Sequence, residues 1–222
     1  MIIYSYLKGL TLGSSVTMLS YIADRTIAEK SYQEIIKKQP NLYNKGWTAI
    51  QTNMIGIGPA VYAVVDNTMI DHSLELQMDN VMYILLIHSV GYYLVHKIMH
   101  EKKEWLKYHN FHHKFDKILV PSIGNAVSSQ EFFAAYMFPF VASALALHPT
   151  EISFVAAIAL ISLFNIIIHT KELDYLDFGP YIVTPKKHIH HHKVRKEHYA
   201  APILDLDTIL EKHAFQRKKI DN

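Results

Sequence analysis

The chain contains no cysteine among its 222 residues. This absence excludes disulfides, thiolate metal sites and a cysteine nucleophile, so any metal must be bound through nitrogen or oxygen. A strong excess of one charge is also lacking, because 22 lysines and arginines nearly balance 20 aspartates and glutamates. The overall charge therefore indicates no nucleic-acid partner. The length suits one domain with a core large enough to fold without covalent cross-links.

Lysine and arginine are missing from four long apolar blocks, whose one carboxylate is Glu131 at the start of the third. The blocks occupy residues 47–65, 81–95, 131–148 and 152–169. At about 1.5 Å per residue, a helix of this kind is roughly 27 Å long, close to the hydrocarbon thickness of a bilayer. Each block can therefore span or nearly span a membrane. A soluble protein with buried core helices is the alternative.

The placement of basic residues favours the membrane interpretation. They fall into three segments, with five in 24–46, six in 97–130 and ten in 170–222. The connections 66–80 and 149–151 contain none, and Lys8 is the one basic residue elsewhere. This alternation is the positive-inside pattern. The sequence predicts an all-α membrane protein with four transmembrane helices in two hairpins and every basic segment on the cytoplasmic side.

The first 23 residues fit either a fifth span or an interfacial helix, and they lack the basic start and cleavage site of a signal peptide. The following basic connector has a weak apolar face that could lie along lipid headgroups. We therefore divide the chain into an N-terminal hydrophobic helix with its connector, 1–46, and an integral-membrane domain, 47–222. The second part carries a helical, histidine-rich cytoplasmic cap.

Nine of the 15 histidines fall into three motifs on the predicted cytoplasmic side, and eight of these are candidate ligands. "HKIMH" places two of them four residues apart, on one helical face. "HNFHH" and "HIHHH" each offer three at i, i+3 and i+4, which on a helix form a tripod, while His190 points elsewhere. The eight are His96 and His100, then His109, His112 and His113, then His188, His191 and His192.

Eight neutral imidazoles are too many for one tetrahedral zinc ion and suit two metal ions held close together. Imidazole accommodates zinc, copper, iron and nickel, so the ligand type alone does not choose the metal. A membrane metal transporter or metal-buffering protein is the alternative. A transporter needs polar ligands at mid-membrane, usually on more than one span, and few polar residues lie within these blocks.

The order and spacing of the motifs resemble the fatty acid hydroxylase and sterol desaturase superfamily. "HKIMH" is followed after eight residues by "HNFHH" and about seventy-five residues later by "HIHHH", with a hydrophobic hairpin between them. The resemblance runs from about residue 47 to 210 and includes "HKFDKILVP", "VTPKKH" and "HYAAPILDLDTIL". In the last segment Asp207 matches the family, but His198 stands for asparagine, Ala200 for glycine and Leu206 for tryptophan.

The resemblance implies a non-haem di-iron centre that uses O2 and two electrons to hydroxylate or desaturate a lipid. Sterols, fatty acyl chains and sphingolipids would all fit, and zinc could replace iron in the same imidazole cage. A separate electron donor, of the cytochrome b5 type with its reductase, is implied as well. In a eukaryotic cell the expected location is the endoplasmic reticulum. A family member that keeps the fold only as a scaffold is a further alternative.

Further residues are expected around this centre. The family places a histidine where the chain leaves the fourth block, and we predict that His169 is a ninth ligand that makes one ion five-coordinate. Two side chains continue the "HKIMH" stripe into the membrane and are predicted to line a substrate channel, His88 and Tyr92. Four carboxylates are available to hydrogen-bond the ligating rings, Asp116, Glu172, Asp174 and Asp207.

Overall fold

The computed structural model describes residues 2–211, and this part of the chain forms helices and turns with no strand. Residues 212–222, the end of the predicted second domain, lie outside the described residues. The division of the chain at residue 46 stays a prediction. In chain order the α-helices are α1 Ile2–Arg25, α2 Glu29–Lys38, α3 Pro40–Gln51, α4 Gly58–Thr68, α5 Met78–Glu101, α6 Lys103–His109, α7 Ser129–Glu131, α8 Phe138–Leu147, α9 Glu151–Ile168 and α10 Pro185–Val194.

Two π-helical turns join neighbouring helices into longer ones. Thr52–Ile57 connects α3 with α4, and Phe132–Met137 connects α7 with α8. Each turn ends two residues before a proline, Pro59 or Pro139. Proline lacks an N–H group and its ring clashes with the carbonyl four residues earlier, and the wider π turn accommodates both defects. Residues 40–68 and 129–147 therefore continue in one direction.

Within residues 2–211, three helices are long and apolar enough to cross a membrane, namely Met78–Glu101, Ser129–Leu147 and Glu151–Ile168. The block 47–65, predicted as a fourth span, lies inside the helix of residues 40–68 but is not among the three. Its polar Gln51 and Asn53 lower its hydropathy. The structure thus has three candidate spans, and the four-helix topology and its cytoplasmic orientation stay predictions.

Helix α1 packs closely, through small residues, against α4 and the π-helical turn that precedes it. Gly9 and Gly13 are buried, and a Cβ atom added to Gly13 would lie 1.9 Å from the backbone oxygen of Met54. Large apolar side chains such as Ile3 and Leu7 are exposed on the other face. Small residues at a helix contact and large apolar ones outside are typical of helices that face lipid.

The two ends of α1 are fixed by ionic groups. Near its start, Lys8 Nζ lies 2.7 Å from Glu151 Oε1 and 3.6 Å from Asp66 Oδ1, so the one basic residue outside the three basic segments is neutralised. At its end, the buried Asp24 carboxylate accepts hydrogen bonds from the backbone N–H of Ser122 (2.8 Å), the Ser122 hydroxyl (2.6 Å) and the Tyr43 hydroxyl (2.7 Å). These bonds join α1 to α3 and to the turn Pro121–Asn125.

Candidate metal centre

The ends of α5 and α9, helix α6 with the turn after it, and α10 bring nine histidines together. Helix α10 begins at Pro185, and the Thr184 hydroxyl caps it by accepting the Lys187 N–H at 3.3 Å. This start directs the rings of α10 toward the ends of the candidate spans. The five-histidine cluster consists of His96, His100, His109, His113 and His191, and the four-histidine cluster of His112, His169, His188 and His192.

Ring nitrogens converge in each cluster. All candidate ligand nitrogens of one cluster lie within 4.8 Å of one another. In the five-histidine cluster, His96 Nε2 lies 2.9 Å from His109 Nε2 and 3.2 Å from His100 Nε2. In the four-histidine cluster, His188 Nε2 lies 2.9 Å from His169 Nε2. The clusters adjoin, since the ring centroids of His113 and His192 are 4.9 Å apart.

The two predicted tripods are each divided between the clusters, which corrects our expectation that each triple shares one face. Helix α6 ends at His109 and a tighter 3₁₀ turn begins at His112, so "HNFHH" is not one regular helix. In α10, His188 and His192 are four residues apart and share a face, whereas His191 turns toward the other cluster.

The position of His169 also differs in one respect from our expectation. We assumed that eight histidines divide equally, so that a ninth raises one ion to five ligands. The eight instead divide into five and three, and His169 completes the smaller cluster. His190 points away from both clusters, as predicted, and is exposed.

In several cluster histidines the Nδ1 atom is hydrogen-bonded to a backbone carbonyl, and this bond determines the tautomer of the ring. His96 Nδ1 lies 2.7 Å from the Tyr199 carbonyl oxygen, His191 Nδ1 lies 2.8 Å from the Glu197 carbonyl oxygen, and His169 Nδ1 lies 2.8 Å from that of Asn165. A carbonyl oxygen can only accept, so each Nδ1 carries the proton. The Nε2 atoms of these neutral rings are then unprotonated, which is the form that binds a metal.

Glu131 plays the same part for His109. Its Oε1 lies 2.6 Å from His109 Nδ1, and both side chains are buried. With both Nδ1 atoms used as donors, His96 and His109 direct two unprotonated Nε2 atoms at each other across 2.9 Å. Two such lone pairs repel unless a cation lies beside them. Ligands with metal–nitrogen bonds of about 2.1 Å at right angles are about 3.0 Å apart, so the spacing fits a shared metal ion.

Burial keeps the histidines outside the candidate spans neutral. Removal from water lowers the pKa of His191 and of His169 to about 4. It also lowers the pKa of His109, His112 and His188 well below the ordinary histidine value, and neighbouring imidazoles add to the effect. Neutral imidazole is the ligating form, so this environment favours metal binding near neutral pH.

Several buried ring nitrogens in the clusters have no hydrogen-bond partner within residues 2–211, as expected for atoms that bind a metal. His191 Nε2 and both ring nitrogens of His192 are buried and have no partner among the described residues. A buried polar atom left unpaired costs about 1–3 kcal/mol, which a bound metal would offset. The residues present therefore fit metal ions with imidazole ligands.

The four carboxylates predicted near the rings contact other groups. Asp116 lies 3.3 Å from the Arg195 guanidinium, Glu172 accepts from the Ser31 hydroxyl at 2.6 Å, and Asp174 is exposed. Asp207 accepts the backbone N–H of Ala200 at 2.7 Å. Within residues 2–211, none of the four hydrogen-bonds to a cluster histidine. Asp207 supports the centre indirectly. It holds the N–H of Ala200, which belongs to the same peptide group as the Tyr199 carbonyl bonded to His96.

Sequence reasoning missed Glu131 and the carbonyls of Glu197 and Tyr199. The signal for Glu131 was present, because it is the one carboxylate in the four apolar blocks and lies at the histidine end of its helix. The carbonyls carry no sequence signal, since every residue has one. The chain reaches them through the turn after α10, where Arg195 has a φ of 63°.

His88 and Tyr92, predicted to line a substrate channel, lie buried in α5. The His88 ring centroid lies 4.5 Å from that of Phe140 and its ring stacks on Tyr92. A largely apolar cavity lies elsewhere, between α1, α4, α8 and α9, and is bordered by Gly13, Tyr136 and Asn165. Neither predicted residue borders this cavity, so their channel role stays a prediction.

The apolar helices and the histidine clusters together indicate an integral-membrane protein with candidate metal sites. A model of the fatty acid hydroxylase family matches residues 81–211. The chain belongs to this family, which confirms the resemblance read from the histidine motifs. The match begins at residue 81, so α1 to α4 lie outside it. No curated protein and no solved structure gives a significant match to the chain.

Proposed function

We propose that this protein is an O2-dependent lipid hydroxylase or desaturase with two iron ions bound at the cytoplasmic surface of a membrane. The five-histidine cluster would hold one ion and the four-histidine cluster the other. When bound, the ions supply the oxidation of an unactivated C–H bond, which no side-chain acid or base can perform. In hydroxylation one oxygen atom enters the product and the other leaves as water, with two electrons and two protons consumed.

The observation that carries the proposal is the pair of facing Nε2 atoms in the five-histidine cluster. His96 is fixed by a carbonyl and His109 by a carboxylate, so both rings are held in the ligating tautomer before a metal arrives. Carboxylate-rich sites favour magnesium, calcium or manganese, whereas an all-imidazole set suits iron, zinc or copper. Membership of the fatty acid hydroxylase family supports iron among these.

The apolar cavity supports a lipid substrate. The cavity has a volume of about 90 Å³ and reaches Asn165, whose carbonyl oxygen accepts the proton of His169 Nδ1. A hydrocarbon chain in the cavity would approach the four-histidine cluster at Asn165, the residue bonded to His169. Burial of each methylene contributes about 0.8 kcal/mol, so a chain segment of several carbons is held without polar contacts.

A separate electron donor is part of the proposal. Basic residues are frequent in the segments that carry the histidine motifs, 97–130 and 170–211, and lysines such as Lys186 and Lys193 border a surface groove beside α10. A basic surface would attract an acidic protein such as a b-type cytochrome and accelerate its association at low salt. We expect turnover with a limiting electron carrier to fall as ionic strength rises.

Metal analysis combined with oxygen uptake tests the proposal. The protein purified after expression with iron should carry about two irons per chain, and should consume O2 when a reductant and lipid vesicles are supplied. Lipids extracted from expressing cells should contain a hydroxylated or desaturated species that is absent from cells expressing the His96→Ala variant.

Two other outcomes would contradict the proposal. Metal flux into sealed vesicles without oxygen uptake would favour a transporter. Absence of bound iron and of uptake, after iron loading, would favour a scaffold that keeps only the fold.

A further inference from the structure

His190 and His198 lie outside both clusters and form a group with Glu197 on the surface. His190 Nε2 is 2.8 Å from Glu197 Oε1, and the ring centroids of His190 and His198 are 5.8 Å apart. Each of His190, Glu197 and His198 offers one ligand atom, and the three atoms lie within 4.8 Å of one another. Two imidazoles and one carboxylate are a recurrent donor set for zinc.

The chain reverses direction to bring these groups together. Helix α10 is closed by the Arg195 N–H, which donates to the His191 carbonyl at 2.7 Å, and Arg195 has a φ of 63°. His198 has a φ of 59°. A left-handed backbone is uncommon for residues other than glycine and asparagine. At both positions it turns residues 196–199 back along α10, so that Glu197 and His198 meet His190.

We propose that His190, Glu197 and His198 form an outer binding site for a divalent cation of the zinc class, distinct from the two histidine clusters. All three side chains are accessible, since His190 and Glu197 are exposed and His198 is half-buried. An ion can therefore enter from solvent and complete its coordination with water. The exposed position also predicts weaker binding than in the buried clusters, because a surface site loses more side-chain freedom when the ion binds.

The outer site is connected to the five-histidine cluster through the backbone. The Glu197 carbonyl accepts the His191 Nδ1 proton, and two residues later the Tyr199 carbonyl accepts the His96 Nδ1 proton. An ion on Glu197 and His198 fixes the segment that orients two rings of that cluster. Occupancy of the outer site should therefore slow the loss of a metal from the five-histidine cluster. This effect rests on the proposed function, whereas binding at the outer site does not.

Calorimetric titration with Zn²⁺ tests the site. The protein is first saturated at its high-affinity sites and desalted, and the additional zinc bound per chain is then measured. We expect the wild-type protein to bind one additional equivalent of zinc. His198→Asn and Glu197→Gln should bind this equivalent about tenfold more weakly. Asparagine keeps the left-handed backbone of residue 198, so this variant removes the imidazole without disturbing the turn. The control is His148→Asn, which removes another exposed histidine with a left-handed backbone.

Another group of possible metal ligands could account for the additional zinc, and the experiment must distinguish it from the outer site. Asp66, His72 and Glu151 also bring three ligand atoms within 4.8 Å, although Lys8 already neutralises the carboxylates. The proposal is overturned if the wild-type protein binds no additional zinc, or if the additional equivalent persists in His198→Asn and Glu197→Gln. Loss of that equivalent in His72→Ala would assign it to the other end of the molecule instead.

The connection to the five-histidine cluster has its own measurement. Release of cluster iron to a chelator selective for Fe²⁺, with free Zn²⁺ kept in excess so that the outer site stays filled, should be several-fold slower than release without zinc, and this difference should vanish in Glu197→Gln. Equal release rates with and without outer zinc would refute the connection and leave binding at the outer site intact. Absence of any high-affinity metal would refute the proposed function, and the comparison of variants would still report on the outer site.

Discussion

Replacing Glu131 by alanine should weaken metal binding to the five-histidine cluster without changing any residue proposed to bind the metal. The side chain is buried, and its Oε1 atom is the partner of His109 Nδ1 at 2.6 Å. Removal leaves that N–H group buried without an acceptor and frees the imidazole to take the other tautomer. The ring would then direct a protonated Nε2 toward His96.

The expected loss is large enough to measure. A buried donor left without its acceptor costs about 1–3 kcal/mol. Loss of the hydrogen-bond partner of a ligating histidine typically lowers metal affinity about 10–100-fold, which is the same range in free energy. Glu131→Gln should lie between the wild-type protein and the alanine variant, because the amide oxygen can still accept the Nδ1 proton but carries no charge.

Competition with a chromophoric chelator measures the affinity directly, and metal content after dialysis confirms it. The matched control is Glu104→Ala on α6, since Glu104 is exposed and belongs to the same basic segment as the first histidine motifs. Circular dichroism shows whether both variants keep their helices. If Glu131→Ala keeps both metals at wild-type affinity while remaining folded, the hydrogen bond does not orient His109 and the argument from tautomers is wrong.

Three further predictions concern the histidines themselves. His169→Ala should lose about one metal per chain, since it leaves the four-histidine cluster with three rings, and two retained metals with full turnover would remove His169 from the site. His190→Ala should keep both metals whereas His191→Ala should not, and equal losses would mean that the register of α10 is misassigned. The metal-free protein should lose thermal stability as the pH falls from about 6.5 toward 4, because burial lowers the pKa of His191 from 6.5 to about 4 and the unfolded chain then binds more protons. A melting temperature that does not change across that interval would contradict this assignment, and a His191→Ala protein with a shallower pH dependence would support it.

Much of the centre could be predicted from the spacing of its histidines. Residues four apart on a helix share a face, so the pair in "HKIMH" needed no structure to be recognised. His169 was predicted from the family resemblance, which places a histidine at this point, and from its position at the end of an apolar helix on the basic side. In the structure all nine predicted histidines belong to one of the two clusters, and His190 belongs to neither.

The sequence did not predict that the three ligands of each motif divide between the two clusters, because this division depends on where the helices end. "HNFHH" lies at the end of α6, and the following 3₁₀ turn rotates His112 away from its neighbours. Hydrogen-bond partners were predicted least well. We expected carboxylates close to the motifs in sequence to accept hydrogen bonds from the rings. Instead, His96 is bonded to the Tyr199 carbonyl, more than a hundred residues away, and His191 to the Glu197 carbonyl, shortly after it in the chain. The sequence marks which side chains can bind a metal but not which carbonyls will face them.

The interleaving of the motifs has a consequence for how the two proposed metal ions would be acquired. Helix α6 supplies His109 to the five-histidine cluster, and the turn after it supplies His113 to that cluster and His112 to the other; α10 is divided in the same way. An ion that binds the five-histidine cluster therefore immobilises the two segments on which the four-histidine cluster also depends. The entropy lost in ordering those segments is shared between the two binding events, so the second ion should bind more tightly than the first. Partly loaded protein should then be scarce, and limiting iron would produce a mixture of fully loaded and empty molecules.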